Sequence, residues 1–286
     1  MTQNSRAATW RSMLYVPANV PRFVAKAPGA GADAIVLDLE DSVPAAAKAE
    51  ARAGLADAVA ACRAGPSAVL VRINRPLRLV VPDIEAAAAA GADGILVTKA
   101  MDAGHVRLLA EVLDELEAGA PRMVMLPLIE SAAATDRMAE IAAASPRVAG
   151  MLCGAEDLAA ELGCAADDEV IASIKRRMVL AAGAAGVAAL GTLGSIADFR
   201  DLDRLREVVR LSRRAGFSGA TCIHPAVVPV LNEAFAPTGK ELDLARRQVA
   251  AAEEAAREGR GSFEVDGRMV DEPILRRARR LLASAR

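Results

Sequence analysis

The sequence predicts an α/β fold, a parallel (β/α)8 barrel over residues 1–225 with a helical appendage over 226–286. Three observations carry this. Eight short apolar runs occur before residue 226. Stretches with apolar residues at helical spacing, such as AKAEARAGLADAVAACRA and DLDRLREVVRLSRRAG, lie between most of them. Glycine falls between helix and next run, as a helix C-cap does, in GAGAD (29–33), AAGAD (89–93) and RAGFSGA (214–220). Eight strands alternating with helices close into a parallel barrel. A doubly wound open sheet is the competing architecture. Its GxGxxG fingerprint is missing after the first strand, where YVPANVPRF stands instead.

The expected strands, in order, are SMLYVP (12–17), AIVLDLE (34–40), AVLVRIN (68–74) and GILVTK (94–99). MVMLPLIE (123–130), VAGMLCGAED (148–157), VAALGTL (187–193) and GATCIHP (219–225) complete the eight. After Pro225 the pattern changes. Residues 226–259 read as two helices, REGRGSFEVDGRMVDEP as a loop, and PILRRARRLLASA as a last helix. The first eight residues are expected to be loosely held.

Composition excludes several classes. A net charge of −2 without charge blocks gives no electrostatic case for nucleic acid or a membrane surface. Aromatics at 2% leave little for stacking on bases. The four cysteines form no CxxC pair, which fits a reduced cytoplasmic protein, and two histidines make zinc an unpromising ligand set. The start of the chain lacks the apolar core of a signal peptide. No run approaches about 18 apolar residues, so no membrane span is expected.

In a barrel of this kind the active site forms at the C-terminal strand ends. The predicted strand ends carry Asp38, Glu40 and Asp41; Arg72 and Asn74; Lys99; Glu130; Glu156 and Asp157; and His224. Each has a plainer use. Glu130 and Asp157 can favour the N-terminus of a following helix, and Lys99 can lie on the surface. Arg72 is harder to explain so. It sits among apolar neighbours in VLVRIN, strand alternation turns it toward the barrel mouth, and a buried arginine needs a partner. Glu130 and Asp157 end adjacent strands. Two such carboxylates can share a hard cation such as Mg²⁺, with water and substrate oxygens completing its shell. Arg72 could then bind a substrate carboxylate or a developing enolate oxygen. The residues alone point to a divalent-metal enzyme acting on an oxyacid, without naming the reaction.

RSMLYVPAN (11–19), VLDLEDSVPAAAKAEAR (36–52), VRIN (71–74), LPLIES (126–131) and GAEDLAAELG (154–163) occur in series. DFRDLDRL (198–205), GFSGATCIHPAVVPVLNEAFAPT (216–238) and GRMVDEPILRRAR (267–279) follow. Together they resemble the citrate lyase beta-subunit-like family of CoA-ester lyases, whose relatives include malyl-CoA and citramalyl-CoA lyases. The resemblance implies a barrel with a C-terminal helical lid, in a homotrimer. It implies Mg²⁺ on Glu130 and Asp157, and Arg72 holding substrate. Tyr15, Arg22, Lys26, Ile223 and His224 match positions that contact CoA, and Asp271 matches a catalytic acid/base supplied by a neighbouring subunit. Glu40, Asp41 and Lys99 would stand behind these groups. Asp271 also has a simpler use as the N-cap of the last helix, and His224 can bond to backbone. The implied reaction is retro-Claisen cleavage of a 3-hydroxyacyl-CoA into a 2-oxoacid and acetyl-CoA. A CoA-independent metal aldolase and an accessory subunit of a lyase complex are the alternatives. Ala18, Gly191 and Thr98 depart from the family pattern, and they bear on which acyl group fits.

Overall fold

The structure, a computed structural model, describes residues 9–118, 122–195, 200–257 and 262–285. The expectation for residues 1–8 falls outside the described residues, as do 198–199 of the DFRDLDRL motif. The chain packs as two compact units, Met1–Phe235 and Ala236–Arg286. The sequence reading divides it at 225/226, before the helix Val228–Ala234. That helix buries Val228, Val230 and Leu231 within the first unit.

The first unit holds eight parallel strands: β1 (Ser12–Pro17), β2 (Ala34–Asp38), β3 (Ala68–Ile73), β4 (Gly94–Val97), β5 (Val124–Ile129), β6 (Gly150–Cys153), β7 (Ala188–Ala189) and β8 (Ala220–Cys222). The sheet order is β7-β6-β5-β4-β3-β2-β1-β8. Its edges meet at one parallel bridge, Leu190–Gly219, so the sheet curls back on itself in a TIM-barrel-like α/β fold. Gly219 permits that approach: a Cβ there would lie 1.8 Å from the Trp10 carbonyl oxygen.

Alternation along the strands separates two cores. Met13, Val36, Leu70, Leu96, Leu126 and Leu152 fill the inside of the curl. Ile35, Leu37, Val69, Val71, Ile95 and Val97 face the surrounding helices. The seams follow local rules: helix Leu202–Ala215 ends at Gly216, whose φ of 110° suits a residue without a Cβ. In the first unit three runs differ most from the sequence reading. β7 is only two residues long. β6 stops at Cys153, so Glu156 and Asp157 lie in the first turn of the helix Ala155–Leu162. The stretch 47–64 makes two helices, Lys48–Ala53 and Leu55–Cys62, divided at Gly54.

In the second unit the helices Gly239–Arg257 and Glu272–Ala283 pack together. Part of the expected loop is instead an antiparallel hairpin, β9 (Phe263–Val265) with β10 (Arg268–Val270). Asp266 and Gly267 turn it at φ 53° and 73°, the positive pair a two-residue Asp-Gly hairpin loop requires. Among the described residues no helix is long and apolar enough to cross a membrane. All four cysteines are free thiols.

Beneath β5 and β6, Arg147 is 2% exposed. It donates to Glu117 Oε2 at 2.6 Å, to Asp114 Oδ1 and to the Met123 carbonyl. Glu117 also accepts the Arg122 and Met123 N–H groups. Removing one partner of a buried pair leaves an uncompensated charge. Glu117→Ala is therefore expected to cost about 3 kcal/mol in urea unfolding. Asp114→Ala, at an exposed carboxylate, should cost less than about 1 kcal/mol.

Candidate active site at the strand ends

Asp38 and Arg72 are the last inward residues of β2 and β3, and they are register partners. Arg72 Nε donates to Asp38 Oδ1 at 2.7 Å and Nη2 to Oδ2 at 2.6 Å, a two-pronged, charge-assisted pair. Its Nη1 lies 3.1 Å from Glu40 Oε2 and 3.2 Å from Asp41 Oδ2. The guanidinium stacks 4.9 Å from the centroid of the Tyr15 ring. Burial alone would lower the Arg72 pKa, but the hydrogen bonds and charge of Asp38 raise it well above the usual value. Burial alone would raise Asp38, but Arg72 and the Ser42 hydroxyl hold it below the usual range. The Tyr15 hydroxyl is pushed up, chiefly by burial.

The next layer continues this alternation of charge. Lys99 Nζ donates to Glu40 Oε1 at 2.6 Å. Burial and a hydrogen bond with Asp41 raise the Glu40 pKa against the pull of Lys99. Lys99 adopts φ 47°, in the left-handed region. In that conformation its backbone N–H donates to Glu130 Oε2 at 2.6 Å.

Glu130, immediately beyond β5, is 6% exposed. Its pKa is pushed up to about 7, first by burial and then by the charges of Asp157 and Glu40, against the Lys99 N–H. Gly154 makes room for it: a Cβ there would lie 2.5 Å from Glu130 Cγ. Glu130, Asp157, Arg72, Asp41 and Tyr15 line one cavity of about 350 Å³. Two carboxylates in a desolvated cavity oppose each other's ionisation, and a divalent cation relieves this. Among the described residues no group of three or more His, Cys, Asp or Glu side chains is placed to hold a metal. The fitting ion is therefore one content with two carboxylates and non-protein oxygens, as Mg²⁺ is.

The other candidates are more dispersed. Ile223 is 66% exposed at the cavity rim. His224 uses Nδ1 to accept the Ala226 N–H, 3.2 Å away, at the start of a short 3-10 turn. Arg22 and Lys26 are exposed, and Arg22 lies 4.8 Å from the centroid of the Phe23 ring. Neither is among the residues lining the cavity. In the second unit, Asp271 caps the helix Glu272–Ala283, its Oδ1 accepting the Ile274 N–H at 3.3 Å.

Sequence reasoning missed three participants: Asp38 as the chief partner of Arg72, Gly154, and Lys175. Lys175 is 5% exposed, lines the cavity and donates to the Leu193 carbonyl at 3.3 Å. A signal for it existed. On the helix Glu169–Ala185 the buried positions are 171, 174, 175, 178 and 182, so Lys175 occupies an apolar-face position.

A family-wide sequence model described as HpcH/HpaI aldolase/citrate lyase matches residues 11–225. A (3S)-malyl-CoA thioesterase of Cereibacter sphaeroides is 37% identical, over 98% of this chain and 96% of that protein. The citrate lyase subunit beta of Leuconostoc mesenteroides subsp. cremoris is 34% identical, over 96% and 93%. Protein CitE from Mycobacterium tuberculosis, solved in complex with magnesium, acetoacetate and coenzyme A, superposes with a TM-score of 0.76 at 35% identity. That match covers 98% of this chain and 99% of CitE.

The Glu130 environment gives a pH prediction for the metal-free protein. Its folded pKa, about 7, exceeds the ordinary 4.5, so the folded state holds the proton more tightly than the unfolded one. That contribution is complete below pH 4.5 and is lost as pH rises through about 7. In EDTA, the stability of Glu130→Gln relative to the native protein should therefore rise by about 3 kcal/mol between pH 4.5 and 8. Urea unfolding curves at stepped pH check this; a constant difference would contradict it.

Proposed function

The chain belongs to the HpcH/HpaI aldolase/citrate lyase family, and from that premise we propose that it is a Mg²⁺-dependent CoA-ester lyase. Its substrate is a 3-hydroxyacyl-CoA of the citryl, malyl or citramalyl type, and its products are a 2-oxoacid and acetyl-CoA. The observation that carries the reading is the placement of Glu130 and Asp157 in one cavity with an Arg72 already fixed by Asp38.

Glu130 and Asp157 would hold the cation, which when bound supplies Lewis-acid polarisation of substrate oxygens. Arg72 is anchored on two sides by Asp38 and stacked on Tyr15. It needs little reorganisation to stabilise negative oxygen on the substrate, which is the economy of a preorganised site. Tyr15 stays un-ionised and adds no negative charge beside the developing enolate. On C–C cleavage the hydroxyl carbon becomes the carbonyl of the 2-oxoacid and the electron pair passes to the thioester fragment as its enolate. Asp271, reaching the site from a neighbouring subunit of a homotrimer, protonates the enolate carbon. In the condensing direction it removes that proton. Its position on a lid lets closure exclude water from the enolate. Ile223 at the exposed rim, with Tyr15, His224, Arg22 and Lys26, would receive CoA, the two cations facing its phosphates. Glu40, Asp41 and Lys99 hold Arg72 and Glu130 in place.

A second reading, thioester hydrolysis, is favoured by the Cereibacter sphaeroides relatives named (3S)-malyl-CoA thioesterase. One assay separates the two. Purified protein with Mg²⁺ meets malyl-CoA, citramalyl-CoA and citryl-CoA in parallel, with and without EDTA. Lyase action releases glyoxylate, pyruvate or oxaloacetate and no free thiol, whereas hydrolysis releases CoA thiol and the hydroxy acid. EDTA-sensitive oxoacid release from one of the three is expected. EDTA-sensitive thiol release would establish the hydrolase instead, and neither would turn the reading to a CoA-independent aldolase or an accessory subunit. Asp271→Asn keeps a capping oxygen. It should lower kcat at least about 100-fold with folding intact, the scale of a lost general acid.

A further inference from the structure

Two cations line the cavity among the described residues, Arg72 and Lys175, against four acids, Asp41, Glu130, Glu156 and Asp157. Arg72 is engaged by Asp38, Glu40 and Asp41. Lys175 is not so engaged. Its ammonium has three N–H donors. Among the described residues it makes one hydrogen bond, 3.3 Å long, to the Leu193 carbonyl, and no carboxylate pairs with it. Burying an ammonium on one weak contact is costly. Burial accordingly lowers its pKa, and the distant pull of Cys153 and Glu156 does not restore it.

Small residues also line this cavity: Gly191, whose φ of 136° would strain a side chain, Gly194 and Ala155. Lys175 lines the same cavity as Glu130 and Asp157. Arg22 and Lys26, the exposed cations suited to phosphates, do not line the cavity. The anion that fits Lys175 is thus on the acyl group, not on CoA.

We propose that Lys175 is a specificity-determining residue whose ammonium receives a carboxylate on the acyl substituent, additional to the carboxylate beside the hydroxyl. This rests on the oxoacid-and-metal reading of the site given above. The site then prefers a 2-oxoacid bearing that second carboxylate over one with hydrogen in its place. A hydrogen bond to a charged group contributes about 1.5–3 kcal/mol, so the preference is about ten- to a hundredfold in affinity.

Oxaloacetate and pyruvate are the matched probes, since they differ by that carboxylate. Freshly dissolved, each is titrated by calorimetry into Mg²⁺-loaded protein. The native protein should bind oxaloacetate at least about tenfold more tightly than pyruvate. Lys175→Met keeps the apolar stem and removes the charge; it should bring the two affinities together by weakening oxaloacetate alone. Lys175→Arg should retain part of the preference. Equal affinities in the native protein would overturn the proposal without reference to any variant. An undiminished preference in a folded Lys175→Met protein would also overturn it and leave Lys175 serving only the Leu193 carbonyl. If the native protein bound neither oxoacid, the reading of the whole site would fail and this assignment with it.

Discussion

The site depends on one ion pair, Asp38 with Arg72, formed across neighbouring strands at the last inward position of each. Parallel register sets the two residues side by side, and alternation turns both into the mouth of the curl. An arginine so placed could not be buried alone. A carboxylate beside it satisfies two of its nitrogens and fixes its plane. The Tyr15 ring then covers one face. What remains of the guanidinium attracts Glu40 and Asp41, so a single cation organises three acids.

The rest of the pocket follows from accommodating acids in a desolvated place. Lys99 takes a left-handed backbone conformation, from which its N–H reaches Glu130 while its ammonium reaches Glu40. A glycine at 154 leaves the volume that Glu130 occupies. Burial, joined by the charges of Asp157 and Glu40, raises the proton affinity of Glu130 toward neutrality against the Lys99 N–H. A divalent cation would lower it again, so metal and proton compete for the same oxygens. A cation shared by Glu130 and Asp157 would relieve the repulsion between these carboxylates.

Much of the fold was legible in the sequence because its signals are local. Apolar runs, helical spacing and glycine C-caps such as Gly216 mark the alternation of strand and helix wherever they occur. Arg72, Glu130 and Asp157 were legible as charges beside apolar runs, and the structure brings all three to one cavity. What was hidden depends on distance along the chain. The partnership of Asp38 with Arg72 requires the register of two strands 34 residues apart. The need for Gly154 is a matter of Glu130 packing against it. Asp157 looked like a strand end because its helix opens without a polar cap, at Gly154. The Asp266-Gly267 turn lies within a stretch whose polar composition reads as a loop, and Lys175 is a cation on an otherwise apolar helix face.

The central claim is that Glu130 and Asp157 act together as the protein's ligands for one divalent cation. Anomalous diffraction from crystals grown with Mn²⁺ in place of Mg²⁺ tests it most directly. The account predicts one peak per chain, bridging the two carboxylates at the roughly 2.0–2.2 Å typical of such oxygen ligands and absent from a Glu130→Gln crystal. A peak elsewhere, or one that survives that substitution undisturbed, would contradict it.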